Sequence, residues 1–216
     1  MTGAVLSSSH QDQKQAEAPR IRAGGKPIRL VLASASPRRL DLLRQIGLEP
    51  DLVDPPHTDE AVRRGELPRD YAKRVALEKL QAALARHAGA VVVAADTVVA
   101  CGRRILPKAE DEATALQCLR LLSGRRHRVL GGIAVALPDG RNLLRVASTT
   151  VIFKQLSAAE IAHYLASQEW LGKAGGYAIQ GRGAVFVRGI IGSYSNVVGL
   201  SLPDLAAMLQ GNGIDW

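Results

Sequence analysis

The apolar positions of this chain switch between continuous short runs and helical spacing, and the switches mark its elements. Ile28 to Ala33 is mostly apolar and gives way to Ser34-Ala35-Ser36-Pro37-Arg38-Arg39, after which Leu40 to Ile46 is periodic. That order predicts a strand, a loop and a helix starting at Pro37, with Ser36 suited to the N-cap and Gly47 to the C-terminal cap. Leu48 to Val53 reads as a short second strand. Asp54 to Leu67, with Pro55, Pro56, Gly65 and several charges, reads as a loop. Leu77, Leu80 and Leu84 fall at helical spacing within a helix from about Asp70 to His87, stopped by Gly89. Ala90 to Ala95 and Val98 to Ala100 form a β-branched run of the kind found in buried strands, interrupted by Asp96. A tight turn at Cys101 to Arg104 follows, then a helix from Glu110 to Leu122.

The second half continues in the same terms. His127 to Leu137 and Leu143 to Phe153 are two long β runs joined by Pro138 to Asn142, which predicts a hairpin. Ser157 and Glu160 form a capping box opening a helix to about Ser167, and a Gly-rich stretch from Gly172 to Gly192 precedes a closing helix from Pro203 to Gln210. Helices and strands alternate early and a hairpin comes late. The expected fold is therefore α/β, with a mixed central sheet, flanking helices and a cleft between two lobes where Ser34 to Arg39 and Asp96 converge.

Two features break the pattern and suggest chemistry. Arg38 and Arg39 occupy the first turn of a helix, where the macrodipole favours anions and each cation costs roughly 0.3 to 1 kcal/mol. Either both point into solvent, or a phosphate bound by the free N–H groups, the serine hydroxyls and the guanidinium forks reverses the penalty. Asp96 inside a buried strand is costly unless paired. It either accepts hydrogen bonds from a nearby turn or serves as a general base or metal ligand in a cleft. Five other residues carry weaker signals. Asp59-Glu60 is a solvated loop pair or reaches over a charged ligand, and Lys79 is unremarkable on its helix. Lys108, just before a helix, is a phosphate candidate. Gln180 is structural or reads a base edge through its amide.

Composition narrows the classes. With 216 residues, 28 Lys plus Arg against 20 Asp plus Glu and a net charge of +8, the chain suits one substantial core and a polyanionic partner. Cys101 and Cys118 are too few for a disulfide framework and lack zinc spacing, so a reducing cytoplasm is expected. The run from Ala88 is broken by Asp96, and no segment has the roughly 18 apolar residues of a membrane span. Residues 1–26 are mostly polar and are expected to be a disordered leader outside a domain at 27–216.

Taken together, the ordered motifs resemble the Maf family of nucleotide pyrophosphatases, whose fold is similar to that of the inosine triphosphate pyrophosphatases. They are Ser34-Ala-Ser-Pro-Arg-Arg39, Asp59-Glu60, Arg74 with Glu78-Lys79, Ala95 to Val99, Lys108, Leu122-Ser-Gly124 with His127, Gly176 to Gly181 and Gly192 to Leu200. They span about residues 28 to 210. The resemblance implies hydrolysis of a nucleoside triphosphate to monophosphate and pyrophosphate with a divalent metal, Mg²⁺ or Mn²⁺. It makes Asp96 the base that activates water, and Glu60, with Asp96, the metal holder. Lys79, Lys108, Arg39, Ser34 and Ser36 would neutralise the triphosphate. Arg38, Thr97 and Gln180 match the branch that resembles dTTP and UTP pyrophosphatases rather than the 7-methyl-GTP branch. Pro107-Lys108-Ala109 stands where the family often has Gly-Lys-Pro. A homodimer without a stable nucleic-acid or membrane partner is implied as well. The competing class is a non-catalytic nucleic-acid-binding or cell-division regulator, which the dispersed cations and few aromatics disfavour.

Overall fold

A computed structural model describes residues 21–216 of the chain. Its first elements already differ from expectation. Arg22–Ala23 (β1) and Lys26–Pro27 (β2) pair antiparallel across Gly24-Gly25, both with positive φ as a two-residue hairpin turn requires. Strand β1 also pairs with the strand at the chain's end, Ile214–Asp215 (numbered β12 below), and Ile21 is buried in the main core. The expected leader is thus corrected over 21–26, where backbone pairing and Ile21 burial hold the chain. The rest of that expectation, residues 1–20, lies outside the described residues.

The central elements follow the hydrophobic pattern. Leu30–Ala33 (β3) is fully buried, and Pro37–Gln45 (α1) follows with Pro37 in its first turn. The second strand is only Leu52–Val53 (β4), shorter than expected. Pro68–Leu84 (α2) starts two residues earlier than the spacing suggests, because Pro68 takes the first helical position rather than preceding the helix. Val91–Cys101 (β5) runs unbroken through Asp96, turns at Gly102-Arg103, and pairs with Arg104–Leu106 (β6). Lys108–Ala109 (β7) and Glu112–Leu122 (α3) follow; Arg126–Ala136 (β8) and Asn142–Phe153 (β9) make the expected hairpin. Ala158–Ala166 (α4) opens on the complete Ser157–Glu160 capping box. Lys173–Ala174 (β10), Val187–Ile191 (β11), Tyr194–Val198 (α5), Leu202–Gln210 (α6) and β12 complete the chain.

The main sheet is mixed, in the order β11-β9-β8-β5-β3-β4, with β6 on β5. Strands β4, β3 and β5 are parallel to one another; β8, β9 and β11 continue antiparallel. Residue alternation along β5 sorts its two faces. Val91, Val93, Ala95 and Val99 join the large core with α1, α3, α4 and α6, whereas Val92, Ala94, Val98 and Ala100 pack in the clusters under α2. No helix among the described residues is long and apolar enough to cross a membrane.

Strand pairing leaves one break. Strand β3 pairs with β5 only up to Ala94, and β6 takes the same edge only from Val99. Residues 95 to 98 therefore face a gap in the sheet, at the carboxyl end of β3, where open α/β sheets bind ligands.

Candidate active site

A cavity of about 330 Å³ fills that gap. Its walls include the ten residues to which the resemblance gives a site role: Ser34, Ser36, Arg38, Arg39, Glu60, Lys79, Asp96, Thr97, Lys108 and Gln180. Position on β5 explains how two adjacent residues serve different walls. Asp96 belongs to the even-numbered face under α2, and Thr97 to the face that meets α1 and α5.

On the α2 side the charges alternate. Lys79 Nζ lies 2.8 Å from Asp96 Oδ1 and 2.7 Å from Glu60 Oε1, and Lys108 Nζ lies 2.6 Å from Glu60 Oε2. Asp96 is 3% exposed and Lys79 8%, so this is a buried pair continued outward by two more accessible groups. Burial pushes the Glu60 carboxyl up, but the hydrogen bonds from Lys108 and Lys79 outweigh it and hold it at about 2. Helix α2 comes close enough to deliver Lys79 because residue 132, opposite Asp96 in the β5–β8 ladder, is glycine. A Cβ there would run into the Ala72 carbonyl of α2.

The α1 side is built from neutral oxygens. Arg39 is buried; its Nε donates to the Gly199 carbonyl (2.9 Å), one terminal nitrogen to Ser34 Oγ (2.8 Å) and the other to Thr97 Oγ1 (3.1 Å). Among the described residues it has no ion pair, and burial draws its guanidinium down while Asp96 opposes that shift. Half-buried Arg38 donates from Nε to the Val198 carbonyl at 3.3 Å. Neither arginine points freely into solvent, which excludes the solvated alternative. The carbonyls they use end the short helix α5, and Asn196 fixes that helix. Its Nδ2 donates to the Val129 carbonyl and to Thr149 Oγ1, while a Cβ on Gly131 would collide with its Oδ1.

The remaining candidates differ in whether their hydroxyls are already committed. Ser34 Oγ accepts from Arg39 and from the Ser36 amide, so its own proton is left to donate into the cavity. Ser36 sits at the N-cap position but makes no side-chain cap bond. Thr97 Oγ1 accepts from Arg39 and donates to Gly199, so its hydroxyl is committed. Asp59 turns outward and accepts from the Ala61 amide, leaving Glu60 alone to reach inward. Gln180 is exposed at the cavity wall.

Two contributors escaped the sequence reading. Lys173, on β10 paired with β7, lines the cavity; burial draws its ammonium down and Arg38 adds to that effect. Tyr177 also lines it, with its hydroxyl 2.8 Å from His127 Nε2 in an aromatic cluster with Phe153. Burial pushes His127 down to about 4, keeping the ring neutral. A lysine in a Gly-rich loop carries no periodic signal, and only pairing with β7 brings it to the cavity. The expected metal pair is brought to one cavity, but Lys79 stands between its two carboxylates. Among the described residues no group of three or more His, Cys, Asp or Glu is placed to hold an ion. Asp96 Oδ2 has no protein hydrogen bond among them.

The family model described as Maf-like protein matches residues 29–212. A relative from Paramagnetospirillum magneticum named dTTP/UTP pyrophosphatase is 67% identical over 184 residues, covering 85% of this chain and 97% of its own length. One of the same name from Rhodospirillum rubrum is 58% identical over 205 residues, 95% of this chain and 96% of its own. A nucleoside-triphosphatase / dITP/XTP pyrophosphatase structure from Mycobacterium abscessus overlaps 61% of this chain and 75% of its own, at 21% identity and a TM-score of 0.39.

Proposed function

The chain belongs to the Maf family, and from that premise we propose that it hydrolyses nucleoside triphosphates, dTTP and UTP foremost, to the monophosphate and pyrophosphate. The observation that supports this most directly is Arg39. A buried guanidinium held entirely by neutral oxygens keeps its positive charge for a ligand, and the ligand of matching charge at a helix start is a phosphate.

The geometry supports a division of roles. Asp96 accepts a proton from the water that attacks the α-phosphorus in line, and Lys79 orients its carboxylate through Oδ1. Arg39 and Lys108 neutralise the triphosphate and its leaving pyrophosphate, and the free hydroxyls of Ser34 and Ser36 donate hydrogen bonds to them. Arg38 and Gln180, both on the cavity wall, choose the nucleoside, and Thr97 acts through Arg39. A divalent cation, Mg²⁺ or Mn²⁺, is part of the same reading. Such hard ions bind through one or two carboxylates plus substrate phosphates, and Asp96 Oδ2 offers one oxygen. Glu60 offers another once a lysine releases it. When bound, the ion supplies neutralisation of the phosphate oxygens. A homodimer in the cytoplasm completes the proposal.

The test is pyrophosphate release from dTTP, UTP, CTP, GTP and 7-methyl-GTP with Mg²⁺ or Mn²⁺. Turnover led by dTTP and UTP is expected, and Asp96→Asn should lower it by about 10² to 10⁴-fold, the usual worth of a general base. If no nucleotide is turned over, the enzyme reading fails; if 7-methyl-GTP leads, the pyrimidine assignment fails.

A further inference from the structure

Glu60 lies midway along the irregular segment from Asp54 to Leu67, yet its carboxylate is aimed between two lysines. Long loops without secondary structure keep such an aim only when something fixes their backbone. That support comes from the first two turns of α2. The Tyr71 hydroxyl donates to the Glu60 carbonyl at 2.9 Å, and an Arg74 terminal nitrogen donates to the Ala61 carbonyl at 3.0 Å. The peptide carbonyls of Glu60 and its successor are thereby both tied to one helix. Arg74 in turn is locked. It forks onto Glu66 at 2.6 and 2.8 Å, bonds Glu78 at 2.9 Å, and lies over the Tyr71 ring at 5.4 Å. The Arg74 and Glu66 side chains are only 14% and 9% exposed, so this pair is shielded as surface pairs are not. Glu66 also accepts from the Arg63 amide, closing the far end of the loop.

We propose that Arg74, seconded by Tyr71, is a positioning residue for the reaction: it holds the Glu60 backbone so that the carboxylate faces Lys79, Lys108 and the bound nucleotide. The inference rests on the pyrophosphatase reading and adds to it a residue that does not line the cavity. Arg74 does its work through geometry that an ammonium cannot copy, since one terminal nitrogen serves Glu66 and Ala61 while Nε completes the fork.

Arg74→Lys and Tyr71→Phe are the variants, each made also in a Glu60→Gln background. Arg74→Lys should lower kcat by about tenfold with nucleotide KM within about twofold, and Tyr71→Phe by about threefold. In the Glu60→Gln background neither should lower kcat further, because what they position is gone. A readout independent of activity is tryptic cleavage after Arg63 and Arg64, which Arg74→Lys should accelerate. Wild-type kcat in Arg74→Lys, with Glu60→Gln impaired, overturns the inference and leaves the pyrophosphatase reading intact. Losses that multiply in the double variants overturn it too, since Arg74 would then act elsewhere. Full activity in Glu60→Gln removes Glu60 from the reaction and the inference with it. A wild-type protein that turns over no nucleotide instead sinks the reading beneath both.

Discussion

The cavity holds its cations in two unlike ways. On the α2 side, Lys79 and Lys108 are matched by the carboxylates of Asp96 and Glu60, and the charges alternate along the row. On the α1 side, Arg38 and Arg39 are gripped by carbonyl and hydroxyl oxygens that carry no net charge. Lys79, bridged between two carboxylates, mainly orients them, whereas an arginine held by dipoles presents its charge to a ligand. The two halves should therefore respond differently to substitution: Arg39 through substrate binding, Lys79 through the chemical step.

Arg39→Lys gives the largest separation. Three neutral acceptors lose the planar fork that satisfies them, and phosphate affinity should suffer, raising KM for dTTP and lowering kcat/KM by roughly 10²-fold. Steady-state kinetics check it; an unchanged KM would mean the arginine supports structure and not ligand. Lys79→Gln should have a smaller effect and the opposite signature. With the two carboxylates no longer bridged, kcat should fall about tenfold while KM stays within about twofold. A rise in KM with kcat preserved would erase the distinction between the halves.

The smallest effect is in stability against pH. Glu60 sits at about 2 in the folded protein against an ordinary 4.5, so its pairing stabilises fully above 4.5 and is lost as pH falls towards 2. The melting-temperature difference between the wild type and Glu60→Gln should be flat above about pH 5 and shrink as the pH drops below about 4.5. The corresponding difference for Arg39→Lys should not shrink over that window, because its hydrogen-bond acceptors do not titrate. Parallel melts of the three proteins decide this, and a shrinking difference for Arg39→Lys would place a carboxylate in its grip.

Much of this molecule was legible in its sequence because the signals are local. The Ile28–Ala33 run, the Pro37 helix start, the β8–β9 hairpin and the Ser157–Glu160 capping box each depend on residues a few positions apart. Asp96 and the two arginines were also visible, as violations of local preference. What the sequence left open were contacts between distant segments. Ile21 and β1 sit in a polar stretch whose partner, β12, lies nearly two hundred positions further on. Lys173 reaches the cavity only through β7. Arg74 stood in the sequence only as part of a motif with Glu78 and Lys79, and its hold on Ala61 and Glu66 belongs to the tertiary structure. Spacing determined that Arg38 and Arg39 sit where a cation is disfavoured unless it is solvated or met by an anion, and that Asp96 needed a reason. Only the tertiary structure decided that Asp96 faces Lys79 and Thr97 faces Arg39. A strand's alternation fixes that adjacent residues point to opposite faces, but the helix that covers each face is set by long-range packing.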